Sequence, residues 1–136
     1  MNESKPVSTP AAPGVVLVLT PKLDSEESLD ASHPFSQLVG SFIYLSTHVR
    51  PDIAQATGAL ARCMHRPTER HWKAAKRVLA CLYHNKNLAL KFSPTNAKEH
   101  KVECFTDSNF ATEPNAKSVG GYLTFLNGNL TNWKSS

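Results

Sequence analysis

Arg70, Lys73, Lys76 and Arg77 recur at helical spacing, which gathers four cations along one side of a helix. A row of that kind suits contact with the phosphate oxygens of a nucleic-acid backbone. A second set of chemically capable residues is Cys63, His65, His71, Cys81 and His84. Cys81 and His84 are three apart on a helix and can face one ligand, whereas Cys63 and His65 are two apart and point away from each other. Helical packing with surface histidines is therefore expected, and no metal site. No third group orients a Cys–His pair at a spacing that would make a nucleophile. Chemistry on two metal ions takes paired carboxylates, and no two aspartates are adjacent in this chain. Trp72 and Trp133 read as core residues, with the helical aromatics expected on the face opposite the lysines rather than interleaved with them as in single-strand binders.

The elements that must position these groups can be traced from periodicity. Residues 1–33 read as a Pro-rich acidic linker: Pro6, Pro10, Pro13 and Pro21 interrupt any helix, and Asp24, Glu26 and Glu27 have no apolar rhythm. Val15, Leu17 and Leu19 fit a short extended segment. Residues 34–87 read as three helices. The first starts near Pro34, with Ser32 as its cap and Phe35, Leu38, Val39, Phe42 and Leu45 as its apolar stripe. Arg50-Pro51 ends it. The second begins at Pro51, buries Ile53, Ala56, Leu60 and Met64, and stops at Arg66-Pro67. Gly58 marks a weak point or the close approach of another helix. The third is capped by Thr68, with His71 where a capping box would have Glu. It buries Trp72, Ala75, Val78, Leu79 and Leu82, and frays around Asn85 to Asn87.

Residues 88–136 change to strand-like alternation. Leu88 to Phe92, Val102 to Thr106, Tyr122 to Leu126 and Leu130 to Trp133 are four expected strands. Asn127-Gly128 between the last two is a strong two-residue hairpin signal. A lone meander is marginal in water, so this sheet is expected to lean on the helices or on further sequence. The fold class is α+β, a three-helix bundle followed by an incomplete antiparallel meander.

Composition sets the outer limits. The 136 residues are 40% hydrophobic and 19% charged, enough for a packed domain and too apolar for wholesale disorder. Three cysteines cannot close into pairs, which excludes a disulfide scaffold. No apolar run approaches the roughly 20 residues of a membrane helix, so no membrane partner is expected. Val15 to Leu19 is too short for a signal-peptide core, and no cleavable secretion signal is expected. Charge is uneven: residues 1–32 carry two basic and five acidic side chains, residues 33–101 eleven and three, and residues 102–136 two and three, within a total of +4. All six histidines lie in the basic middle block. That block fits either a polyanion partner such as nucleic acid or a solvated helix face.

Several strings, in order and at suitable spacing, resemble the copia type of LTR-retrotransposon Pol polyprotein. They are Lys5-Pro6-Val7-Ser8-Thr9-Pro10, Gln37-Leu38-Val39-Gly40-Ser41, Tyr44-Leu45 and Arg50-Pro51-Asp52-Ile53-Ala54. They continue with His71-Trp72, Ala74-Ala75-Lys76-Arg77-Val78-Leu79, Thr106-Asp107-Ser108, Lys117-Ser118, Gly121-Tyr122 and Trp133-Lys134-Ser135. The resemblance implies a thumb or connection region over the helices and a truncated RNase H domain over the strands. It makes Asp107 the counterpart of the first metal-binding aspartate of RNase H, whose ancestral cofactor would be Mg2+. Glu103 shares the Asp107 strand without a role in the family motif, and Glu113 falls on the following loop. The family's remaining carboxylates would lie beyond Ser136, and its polymerase palm before residue 1. The family's Asp-x-Asp-Trp-Ala is here Asp107-Ser108-Asn109-Phe110-Ala111, and its Asp-Arg before Lys-Ser is Asn115-Ala116. Both departures remove charge near the old site.

The resemblance therefore implies a non-catalytic chain without cofactor, in which Asp107 is vestigial and Arg70, Lys73, Lys76 and Arg77 are the nucleic-acid contacts. Inside a longer enzyme those contacts would hold an RNA–DNA hybrid. Similar chains are named secreted RxLR effectors in oomycetes, which implies a host plant protein as partner, suppression of host cell death, and a route through secretion to the host cytoplasm or nucleus. The chain has no Arg-x-Leu-Arg, and Arg77-Val78-Leu79-Ala80 is the nearest approach.

Overall fold

The computed structural model describes residues 7–12, 28–30, 32–95, 98–109 and 118–135. The expectations for Val15 to Leu19, for Asp24, Glu26 and Glu27, and for Phe110, Ala111, Glu113, Asn115, Ala116 and Lys117 fall outside the described residues, as do Lys5, Pro6, Pro13 and Pro21.

Three helices and a three-stranded antiparallel sheet make an α+β fold. Helix α1 spans Phe35–His48 and buries Phe35, Val39 and Phe42, one per turn, with Leu38 and Leu45 packed at the edge of the core. Its N-cap is Pro34, without a side-chain capping bond. Ser32 does not cap it: its hydroxyl and backbone N–H both turn back to the Asp30 carboxylate, at 2.9 and 3.2 Å. Aspartate two residues away outcompetes the helix end because its two oxygens accept both donors at once.

Pro51–Ile53 form a single 3-10 turn that runs into α2, Ala54–Ala61. Ile53, Ala56 and Leu60 join the core, and Met64 packs against it from the turn that follows. Gly58 does face a close neighbour, but it is a strand: a Cβ there would sit 3.9 Å from the main-chain oxygen of Ser135.

Helix α3 spans Glu69–His84. The Thr68 N–H donates to His71 Nδ1 at 3.0 Å, so histidine supplies the reciprocal half of the capping box. His71, Ala75, Val78, Ala80 and Cys81 are its buried residues, while Trp72, Leu79 and Leu82 are only half-buried against the core. The expected stripe is thus centred differently. Residues 7–12 also reach α3: Ala11 packs against the core, Arg77 donates to Thr9 and the Asn85 amide donates to the Val7 carbonyl, at 3.1 and 3.3 Å. Nor is Asn85 frayed, since its backbone and side chain both donate to Cys81 O at 2.9 Å and close the helix.

The sheet has the order β1-β2-β3, with β1 Val102–Asn109, β2 Val119–Leu126 and β3 Asn129–Ser135. Asn127 and Gly128 both take positive φ, 49° and 79°, in the tight turn that the Asn-Gly pair favours. One residue of β3, Thr131, bulges out opposite Thr124 and Phe125 and donates its hydroxyl to Thr124 O. Leu88 to Phe92 makes no ladder. That segment is tethered through Ser93, whose N–H and C=O both meet the side-chain amide of Asn129, at 2.7 and 3.1 Å. A side chain has taken the place of a neighbouring backbone there.

The helices meet the sheet chiefly between α2 and β3. Phe105, Leu123 and Trp133 share one sheet face by register. Trp133 is anchored to α1, but Phe105 and Leu123 remain 59% and 40% exposed.

Candidate functional site

The four cations on α3 do not form one uniform row. Arg70, Lys73 and Lys76 are exposed, while Arg77 is half-buried. Residues 10–12 lie against α3, so that Pro10, Ala11, Arg70, Lys73 and Arg77 line a shallow cavity of about 360 Å³. Lys76 sits on the other flank, with Nζ 5.8 Å from the centre of the Trp72 ring. The lysines and aromatics are therefore not on opposite faces. Trp72 is tilted to the edge of the core, where His33 meets it edge-on at 5.1 Å and Lys76 covers it from the same helix.

Asp107 lies on β1 opposite Gly121 and is exposed, with Oδ1 accepting from the Ser108 N–H at 2.9 Å. A cavity of about 310 Å³ opens beside it between the sheet and the start of α2, lined by Asp52, Gln55, Phe105, Asp107, Tyr122 and Trp133 among others. Asp52 is occupied by a bidentate pair: Arg50 Nε and Nη2 donate to its two oxygens at 2.8 and 2.7 Å. Glu103 shares the Asp107 face, but four residues of strand separate them by roughly 13 Å. It pairs instead with Lys101 at 2.9 Å. Two cations held about 4 Å apart need several carboxylates converging on one point. Among the described residues, no three His, Cys, Asp or Glu side chains come together as a metal-ligand set. Cys63 and Cys81 are buried thiols, Cys63 donating to Ala59 O, and Cys104 is exposed. His71 is spent on the helix cap, and His84 stands edge-on to Tyr83.

Arg50 is the residue whose role periodicity does not reveal. It reads as a helix terminator before proline, yet its side chain is buried and the residue joins three elements. Its fork holds Asp52 in the 3-10 turn before α2, its Nη1 donates to Asn85 O at the end of α3, and its backbone N–H donates to Leu45 O of α1. The hydrogen bonds to Asp52 hold the guanidinium above its ordinary pKa, against the opposing effect of burial. Arg-Pro-Asp is the visible signal: proline fixes the turn that brings residues two apart face to face. No helix of the described residues is long and apolar enough to cross a membrane.

No family model matches the chain, and no solved structure matches it. Curated relatives do. The chain is 34% identical over 138 residues to the Retrovirus-related Pol polyprotein from transposon TNT 1-94 of Nicotiana tabacum, a match covering 99% of this chain and 10% of the polyprotein. It is 36% identical over 103 residues to Secreted RxLR effector protein 161 of Plasmopara viticola, covering 75% of this chain and 71% of the relative. It is 32% identical over 138 residues to the Retrovirus-related Pol polyprotein from transposon RE1 of Arabidopsis thaliana, covering 99% and 9%. The chain thus spans about a tenth of the Pol polyproteins it matches.

Proposed function

Because the chain belongs to the copia-type retrotransposon Pol family, we propose that it is a non-catalytic binding unit that holds a nucleic-acid backbone through α3. In this reading residues 34–87 are the thumb-like helical part, residues 88–136 are RNase H-like, and Asp107 is vestigial. The observation that carries it is the exposure of Arg70, Lys73 and Lys76 along one helix, in the block of the chain where basic residues outnumber acidic ones eleven to three. Phosphate contacts by such side chains position a duplex without reading its sequence. Arg77 contributes less, because its guanidinium is engaged by Thr9.

The test is retention on immobilised duplex at increasing salt. Three backbone contacts give a slope of log affinity against log salt of roughly −3 on B-form DNA. Lys73→Gln flattens it by about one. A slope near zero, or one indifferent to Lys73 and Lys76, overturns the reading.

The Plasmopara viticola relative supports a second reading, since most of its length is matched by this chain. In that reading the chain is a secreted effector acting on a host plant protein. Transient expression in leaves beside a cell-death elicitor tests it, and necrosis that proceeds unchanged removes it.

A further inference from the structure

The segment over α3 contains a half-filled oxyanion clamp. Arg77 Nη2 donates to the Thr9 hydroxyl at 3.1 Å, and that hydroxyl donates in turn to Ala11 O at 3.0 Å. Arg77 Nε is buried and has no hydrogen-bond partner among the described residues. Nε and Nη2 carry the two N–H groups of one edge of the guanidinium, the edge that matches two oxygens of a carboxylate or phosphate. Arg50 uses the same edge in full, with Nε and Nη2 both on Asp52. In Arg77 one half of the edge meets a single hydroxyl oxygen and the other half has no hydrogen-bond acceptor among the described residues.

A second oxygen on Thr9 would complete it. Thr9 is exposed, lies in a stretch without helix or strand, and is followed by Pro10, the surroundings that proline-directed protein kinases accept. Arg70 and Lys73 line the same cavity beside Pro10 and Ala11, so the local field favours added negative charge.

We propose that Thr9 is a phosphorylation site whose phosphate is held by the Nε–Nη2 edge of Arg77, locking residues 7–12 onto α3. A protein kinase transfers the γ-phosphoryl group of ATP to Thr9 Oγ1. The bond from Pγ to the β-phosphate oxygen breaks, an Oγ1–P bond forms, ADP leaves with the electron pair, and the hydroxyl proton passes to the kinase's base. Esterification removes the hydroxyl's bond to Ala11 O and replaces one bond from Arg77 to a neutral oxygen with two to anionic oxygens.

The experiment takes the full chain, a proline-directed serine/threonine kinase and ATP, with the modified residue located by mass spectrometry and the phosphate titrated by phosphorus NMR. The expected result is one phosphate on Thr9, abolished by Thr9→Ala and untouched by Ser8→Ala. Its second ionisation is expected about one unit lower in the wild-type chain than in Arg77→Gln, as a neighbouring guanidinium favours the dianion. Arg77→Lys keeps the charge without the edge and gives an intermediate value. Phosphate on Ser8 instead of Thr9, no incorporation, or a Thr9 phosphate that titrates alike in all three chains overturns the proposal. None of these readouts uses nucleic acid, so they stand apart from the salt-dependence test.

Discussion

Trp133 Nε1 donates to the main-chain oxygen of Ser46 at 2.6 Å, tying the last strand to the last turn of α1. In an unbroken helix that oxygen would receive the N–H of Arg50, but the Arg50 N–H is turned to Leu45 O. The indole therefore satisfies one of the orphan carbonyls that every helix end leaves. Trp133→Phe keeps the ring and removes the donor. Its expected cost is about 1–2 kcal/mol, because Ser46 O is left without its partner. Urea unfolding measures it, and a midpoint equal to that of the wild-type chain would refute the tie.

Arg50 ties the 3-10 turn before α2 to the end of α3 through a buried guanidinium, so its fork matters as much as its charge. Arg50→Gln removes both bonds to the partly exposed Asp52 and is expected to cost about 1–2 kcal/mol. Arg50→Lys retains a cation but not the two parallel bonds, and is expected to lose more than half as much. Equal stability of Arg50→Lys and wild type in chemical denaturation would contradict this. The pH dependence has a definite sign. A guanidinium held above its ordinary value contributes fully below that value and loses its contribution only as pH rises through the folded value, in strongly alkaline solution. Replacing Arg50 should therefore lower stability without adding a slope from the guanidinium between pH 6 and 9, roughly the range where Arg stays charged in both states.

Much of this arrangement was legible in the residues themselves. The stripe of Phe35, Val39 and Phe42, the Thr68 cap and the Asn127-Gly128 hairpin are local features within reach of local rules, whereas His71 in the place of Glu gave no sign that it would complete the capping box. Ser32, Asn85 and Leu88 to Phe92 were misread for a shared reason. Each has its outcome set by a partner outside its own periodic stretch: the Asp30 carboxylate, the Val7 main-chain carbonyl with Arg50 Nη1, and the Asn129 amide. Periodicity carries no information about such partners. The contacts of α3 with residues 7–12 were hidden in the same way, since Asn85 and Val7 stand 78 positions apart. For the candidate site, the exposure of Arg70, Lys73 and Lys76 followed from helix geometry, while the diversion of Arg77 to Thr9 spans 68 positions and no local rule reaches it.

Gly58 gives a prediction of the opposite sign from most substitutions. It sits inside α2 with negative φ, and an added Cβ would meet Ser135 O at ordinary van der Waals distance, 3.9 Å. Gly58→Ala is expected to stabilise the chain by about 0.5–1 kcal/mol, the difference in helix propensity. Gly121 is the contrast: its Cβ would press on Lys134 O at 3.3 Å, so Gly121→Ala should show no such gain. Thermal unfolding of the two variants side by side distinguishes them. A destabilised Gly58→Ala would mean that the added methyl group is pressed against Ser135 O.

Asp107 stands on its strand with its carboxylate turned to the next backbone N–H, Glu103 paired to Lys101, and Asp52 gripped by Arg50. Cleaving an RNA–DNA hybrid requires two cations fixed together beside the scissile phosphate, and one free-standing carboxylate neutralises too little charge to hold them. The chain is accordingly expected to release no product from a labelled hybrid in Mg2+ or Mn2+, and Asp107→Ala to leave both that result and the salt dependence of duplex retention unchanged. Its stability should shift by no more than about 0.5 kcal/mol, as befits an exposed side chain away from core and caps. Turnover by the wild-type chain that disappears in Asp107→Ala would establish the opposite, that the strand still assembles a working metal site from residues not recognised as its partners.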